Sequence, residues 1–131
     1  MHPINFVFDV DDTLVLHFEK SEWRRSTQEI VELYGHRRDL ILKTMEEEFP
    51  AGVEFTHPDG GLFLWVTVPE GVSARKVFDK CIEQKVAAVI GDAFYPNEKT
   101  DRSMRVNYSC MSDEKIVEGV KRMAKAIREC M

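Results

Sequence analysis

Residues 57–71 read HPDGGLFLWVTVPEG. At their centre, Leu62 to Val68 is apolar except for Thr67 and rich in aromatic and β-branched side chains. On either side stand His57-Pro58-Asp59-Gly60-Gly61 and Pro69-Glu70-Gly71, the Pro, Gly and Asp residues that turns require. A run this short, this apolar and this sharply bounded predicts a strand buried on both faces. A buried strand needs covering layers, so the surrounding segments decide the fold.

Upstream, Ile30, Tyr34, Ile41, Met45 and Phe49 recur at spacings of four and seven, which predicts an amphipathic helix from Ser26 to Phe49. Gly35 inside it costs about 1 kcal/mol relative to Ala. Pro50 and Gly52 end it. Val53 to Thr56 reads as a short strand.

Downstream, Ser73 is placed to cap a helix carrying Val77, Phe78, Cys81 and Ile82. Val86 to Ile90 reads as another buried strand, residues 91–102 as a polar loop, and Met104 to Tyr108 as an alternating strand. Ser112 caps a last helix, with Asp113 and Glu114 at its positive end and Lys121, Arg122, Lys125 and Arg128 toward its negative end. Its apolar stripe is Ile116, Val120, Met123, Ala124 and Ile127. Near the start, Ile4 to Asp9 reads as a strand, with Ile4–Phe8 expected to pair with the rest of the sheet or with a second copy.

The order β-α-β-β-α-β-β-α predicts an α+β domain: a small two-layer arrangement in which a mixed or largely antiparallel sheet packs against helices. A doubly wound nucleotide-binding fold would need a Gly-rich first turn and regular βα repeats, and the sequence has neither. Two segments are distinguished, a leader at 1–25 and the main domain at 26–131.

Composition narrows the function classes. The 131 residues carry 18 basic and 23 acidic side chains, a net charge of −5, which argues against a nucleic-acid partner because phosphate neutralisation needs clustered Lys and Arg. LFLWVTV and VAAVI are far shorter than the ~20 apolar residues of a membrane span. The beginning, MHPINFVFDVDD, has no basic region before its apolar stretch, so a signal peptide is not expected. Cys81, Cys110 and Cys130 are odd in number and widely spaced, and His2, His17, His36 and His57 lack ligand spacing. Neither a disulfide framework nor a metal site is expected, and a cytoplasmic location is.

The segments HRRDLILKTMEEEFP, HPDGGLFLWVTVPEG, VAAVIGDAFYP and MRVNYS, then a terminal amphipathic helix, follow one another in that order. From about Thr27 to Met131 this arrangement resembles the C-terminal small domain of fold-type I, pyridoxal-phosphate-dependent aminotransferases, in the branch acting on 2-aminoadipate and aromatic amino acids. The resemblance implies that Arg105 grips the α-carboxylate of an amino-acid substrate. A guanidinium suits that task because its planar fork makes two parallel charge-assisted bonds to a carboxylate. It also implies that Gly60-Gly61 leads into the strand near the substrate, and that Phe94 or Tyr95 covers the site.

The cofactor lysine, the acid facing its pyridine nitrogen and the phosphate cradle belong, in that family, to the large domain. Ser73–Lys76 and Ser112–Lys115 fit a loose S-x-x-K spacing, but Ser at a helix start is a cap. The expectation is therefore a fragment that binds substrate carboxylate and does not itself hold pyridoxal phosphate. It would self-associate as a homodimer through exposed apolar surface, or meet a large domain supplied in trans.

The stretch FVFDVDDTLV resembles the first motif of haloacid-dehalogenase-like phosphohydrolases. Under that alternative Asp9 is the nucleophile, Asp11 the general acid/base, and both hold Mg²⁺. Asp92 and Asp101 superficially complete such a magnesium site, although their spacing is too long for it. A third alternative is a non-enzymatic interaction module.

Overall fold

A computed structural model describes residues 6–7, 20–94 and 101–131, with side chains described from residue 28 onward. The elements are β1 (Phe6–Val7), α1 (Lys20–Glu48), β2 (Glu54–Phe55), β3 (Phe63–Thr67), α2 (Ala74–Glu83), β4 (Val86–Ala87), β5 (Val89–Ile90), β6 (Ser103–Asn107) and α3 (Asp113–Cys130), with a 3-10 turn at Gly91–Phe94. The α+β class expected from the element order is the class observed.

Four strands form an antiparallel sheet in the order β2-β3-β6-β5. Its centre is the β3–β6 pair, in which Leu64 faces Val106 and Trp65 faces Arg105. The predicted strand Val86–Ile90 divides at Ala88. Its first half pairs in parallel with β1, Phe6 against Val86 and Val7 against Ala87. Its second half pairs antiparallel with β6, Val89 against Arg105 and Ile90 against Met104. The leader strand thus pairs within the chain through Phe6 and Val7, but in a separate two-stranded sheet.

The core lies between one face of the four-stranded sheet and the helices. Leu64, Val66, Val68, Met104, Val106 and Tyr108 supply the sheet side, and Ile41, Met45, Val77, Cys81, Ile116, Val120, Met123 and Ile127 the helix side; all are essentially inaccessible to water. Burying each such aliphatic side chain stabilises the fold by about 1.5–3 kcal/mol. The stripe read on α3 is buried in full.

Capping accounts for the helix ends. Ser73 caps α2, its side chain accepting from the Lys76 N–H. Asp101 supports the same end: one carboxylate oxygen accepts from the Arg75 N–H at 2.8 Å, the other from the Ser73 hydroxyl, and its carbonyl accepts from the Ala74 N–H at 3.0 Å. The last turn of α1 has no basic residue of its own, so Arg128 of α3 reaches across to donate to the Glu48 carbonyl.

Several expectations change. β3 is not buried on both faces: Phe63, Trp65 and Thr67 are only half-buried, because the helices form a single layer on the other side. Helix α1 begins at Lys20 rather than near Ser26 and passes through Gly35, whose missing side chain has no neighbour to meet. Ile82 turns outward, 38% exposed, because α2 buries a narrow stripe of Ala74, Val77 and Cys81. Ser112 occupies the N-cap position of α3, yet its side chain makes no capping bond. Asp113, in the first turn, meets His36 Nε2 at 2.6 Å instead, tying α1 to α3.

Candidate functional site

Alternation along β6 sends Met104 and Val106 into the core and Ser103, Arg105 and Asn107 to the opposite face. Antiparallel pairing puts Trp65 directly across from Arg105 and Phe63 across from Asn107, on that same face. The 3-10 turn after β5 brings Phe94 alongside. The Arg105 guanidinium carbon lies 4.2 Å from the Phe63 ring centre and 4.6 Å from that of Phe94. Phe94 in turn meets Trp65 edge-on, with ring centres 5.4 Å apart and planes at 90°. A guanidinium over an aromatic face gains roughly 0.5–2 kcal/mol per ring, more as water is excluded. The result is an arginine held among three aromatic side chains on the sheet face that the helices leave uncovered.

Backbone features hold this arrangement in place. Gly91 sits so tightly on Ser103 that a methyl group there would overlap the Ser103 hydroxyl and lie 2.9 Å from its carbonyl oxygen. That close approach sets the turn carrying Phe94 against β6. At the other end, Gly61 adopts φ +88°, a conformation glycine reaches without strain. The Gly61 carbonyl accepts from the Tyr108 hydroxyl at 2.7 Å, fixing the way into β3. Asn107 is fully buried, and its side-chain oxygen accepts from the Ser109 N–H at 2.6 Å and the Ser109 hydroxyl at 2.7 Å, which fixes the chain as it leaves β6. Arg37 of α1 donates to the Ser109 carbonyl.

Gly60-Gly61 therefore has the turn role expected of it. Asp9, Asp11 and Tyr95 lie outside the described residues. Asp92 and Asp101 do not converge as a cation site: Asp92 faces Arg75 at 3.4 Å, and both carboxylate oxygens of Asp101 are engaged at the start of α2. Lys76 and Lys115, of the two S-x-x-K patterns, are exposed on helices. His36 and His57 pair with Asp113 and Glu46. Among the described residues no three His, Cys, Asp or Glu side chains gather to hold a metal, and no helix is long and apolar enough to cross a membrane.

A cavity of about 360 Å³ lies between α1 and the Gly60-Gly61 turn, lined by Tyr34, Arg38, Leu62 and Tyr108 among others. Arg105 does not line it. The arginine stands half-buried beside the aromatic side chains, with its Nε atom out of contact with solvent. Sequence reasoning missed Phe63 and Trp65 as its neighbours. The signal was available in the parity of the strand: with Leu64 and Val66 inward, Phe63 and Trp65 must share the other face.

The family model for class I and II aminotransferases matches residues 14–123. Aromatic-amino-acid aminotransferase 1 of Thermococcus litoralis is 43% identical over 78% of this chain and 24% of its own length. The 2-aminoadipate transaminase of Thermus thermophilus is 29% identical over 91% of this chain and 30% of its own. Among solved structures, the multiple substrate aminotransferase from Thermococcus profundus superposes with a TM-score of 0.78 at 38% identity, covering 83% of this chain and 27% of that one. LysN, an α-aminoadipate aminotransferase from Thermus thermophilus solved with N-(5'-phosphopyridoxyl)-L-leucine, superposes with a TM-score of 0.81 at 30% identity, covering 85% of this chain and 28% of that one. The chain thus spans 24–30% of the length of these four relatives.

Proposed function

The chain belongs to the class I and II aminotransferase family, and from that premise we propose that it is the small, substrate-carboxylate-binding domain of such an enzyme, with Arg105 as the residue that grips the α-carboxylate. The observation that carries this reading is the placement of Arg105. A cation on the sheet face without helices, flanked by Phe63 and Phe94, offers charge-assisted N–H donors beside surfaces that exclude water. Such donors bind a carboxylate more strongly than they would in open solvent, because the surrounding rings lower the local dielectric. The relatives' names point to 2-aminoadipate or aromatic amino acids as the substrate class.

The residues described do not fit the covalent anchor of pyridoxal phosphate. Their lysines sit on the helices or in the turn after α2, and Lys43, Lys80 and Lys125 lie beside Glu47, Glu83 and Glu129. Those helices cover the sheet face opposite Arg105. In this reading turnover belongs to the large domain of the family rather than to the residues described. Homodimerisation and a cytoplasmic, reducing setting belong to the same reading. Val31 and Leu33, exposed on α1, support self-association, and three unbridged thiols support the setting.

The test is a titration of the purified chain with benzoate, a simple monocarboxylate, followed by NMR. Saturable shifts at β3 and β6 that Arg105→Gln abolishes are expected. Equal shifts in both proteins would remove Arg105 from the site.

A further inference from the structure

We propose that Phe94 is a positioning residue for Arg105, acting through its ring face to hold the guanidinium in the orientation that receives a carboxylate. The inference rests on the reading of Arg105 given above and adds a role for Phe94, acting through the arginine.

An arginine side chain carries several rotatable bonds, and gripping a ligand with a mobile one costs ordering entropy at the moment of binding. Here much of that ordering precedes the ligand. The guanidinium carbon is within 4.6 Å of two ring centres, one on β3 and one on the turn that follows β5. Phe63 is fixed by the strand. Phe94 is fixed by two separate devices: the edge-on contact with Trp65, and the close seat of Gly91 on Ser103, which places the turn. Phe94 is nonetheless 41% exposed, so its ring contributes little to the core. It is a large apolar side chain kept at the surface, beside a cation, by a turn whose glycine is seated tightly on Ser103. A ring that served only packing would be expected to point inward.

Phe94→Leu and Phe94→Tyr separate orientation from packing, since leucine keeps apolar bulk and tyrosine keeps the ring face. Two readouts are taken on the full chain. The first is the Arg105 Nε–H resonance, which reports ring-current and rotational environment directly. The second is benzoate affinity. Phe94→Leu is expected to move the Nε–H resonance toward that of a solvated arginine and to weaken benzoate about threefold to tenfold, the loss of one partly exposed cation–π contact together with its ordering. Phe94→Tyr is expected to restore both. A Leu variant with an unchanged resonance and unchanged affinity would overturn the proposal. Phe94→Met serves the same comparison should the Leu variant lose its dispersed spectrum. If benzoate fails to bind the wild-type chain, the carboxylate reading falls, yet the Nε–H signal still decides the question of Phe94: unchanged in the Leu variant, it overturns the positioning role as well.

Discussion

Gly91→Ala offers the sharpest physical test of how the site is assembled. The backbone there needs no positive φ, so the cost is steric alone. An added methyl carbon would overlap the Ser103 hydroxyl, and it would stand 2.9 Å from the Ser103 carbonyl oxygen and 3.2 Å from the carbonyl carbon. Ordinary contacts of this kind settle near 3.5–4.0 Å. A side-chain oxygen can rotate away, but the carbonyl belongs to β6 and cannot retreat without disturbing its pairing with β3 and β5. Overpacking of this sort costs about 1–3 kcal/mol. For a domain of this size 1 kcal/mol moves the melting temperature by about 4 °C, so a loss of roughly 4–12 °C is expected in thermal unfolding followed by circular dichroism. Adding Ser103→Gly should recover only part of it, because the backbone contacts remain. The same displacement lifts Phe94 from Arg105, so benzoate binding should weaken in the single variant. A Gly91→Ala protein that melts within 1 °C of wild type would refute the tight seat and, with it, the mechanism placing Phe94.

Two further outcomes follow from the same structure. Ser103→Ala should be neutral or stabilise by up to about 1 kcal/mol in urea unfolding, because the Ser103 hydroxyl is buried without a hydrogen-bond partner; a loss above 1 kcal/mol would mean that the hydroxyl is satisfied. Burial pushes the Cys81 thiol up to about 12, with Cys130 nearby adding to the shift, so Cys81 should resist thiol reagents at pH 8 while exposed Cys110 reacts. Since the folded value lies above the ordinary value of 9.0, the unfolded chain releases this proton first. The stability contributed is therefore complete below pH 9 and lost as pH rises from 9 toward 12, a decline that Cys81→Ala should remove.

The sequence made much of the fold legible for definite reasons. The stripe of α3 is read correctly because every one of its members is buried, and the Gly60-Gly61 turn because Gly61 takes up φ +88°, which glycine reaches without strain. Ser73 is found as a cap because capping is a local transaction between a hydroxyl and an N–H three residues on. The failures have a common cause in contacts between distant segments. Nothing local shows that β3 has a helix layer on one side only, so Phe63 and Trp65 read as core. Nothing local divides Val86–Ile90, because the division depends on two different partners, β1 and β6. Asp92 and Asp101 imitate a metal pair in sequence, yet Asp101 belongs to the start of α2, 26 to 28 residues earlier in the chain. That Arg105 stands on an alternating strand was legible in the sequence. Its aromatic surroundings required the register of β3 against β6.

Charge on the ligand is what the central claim turns on. The most direct measurement compares benzoate with methyl benzoate, which keeps the ring and removes the negative oxygen, by following the ring protons of Phe63 and Phe94 during each titration. The acid should shift both rings saturably and the ester should leave them unmoved. An ester that shifts them as strongly as the acid would show an apolar shelf with no anion grip, and Arg105 would lose its assigned role.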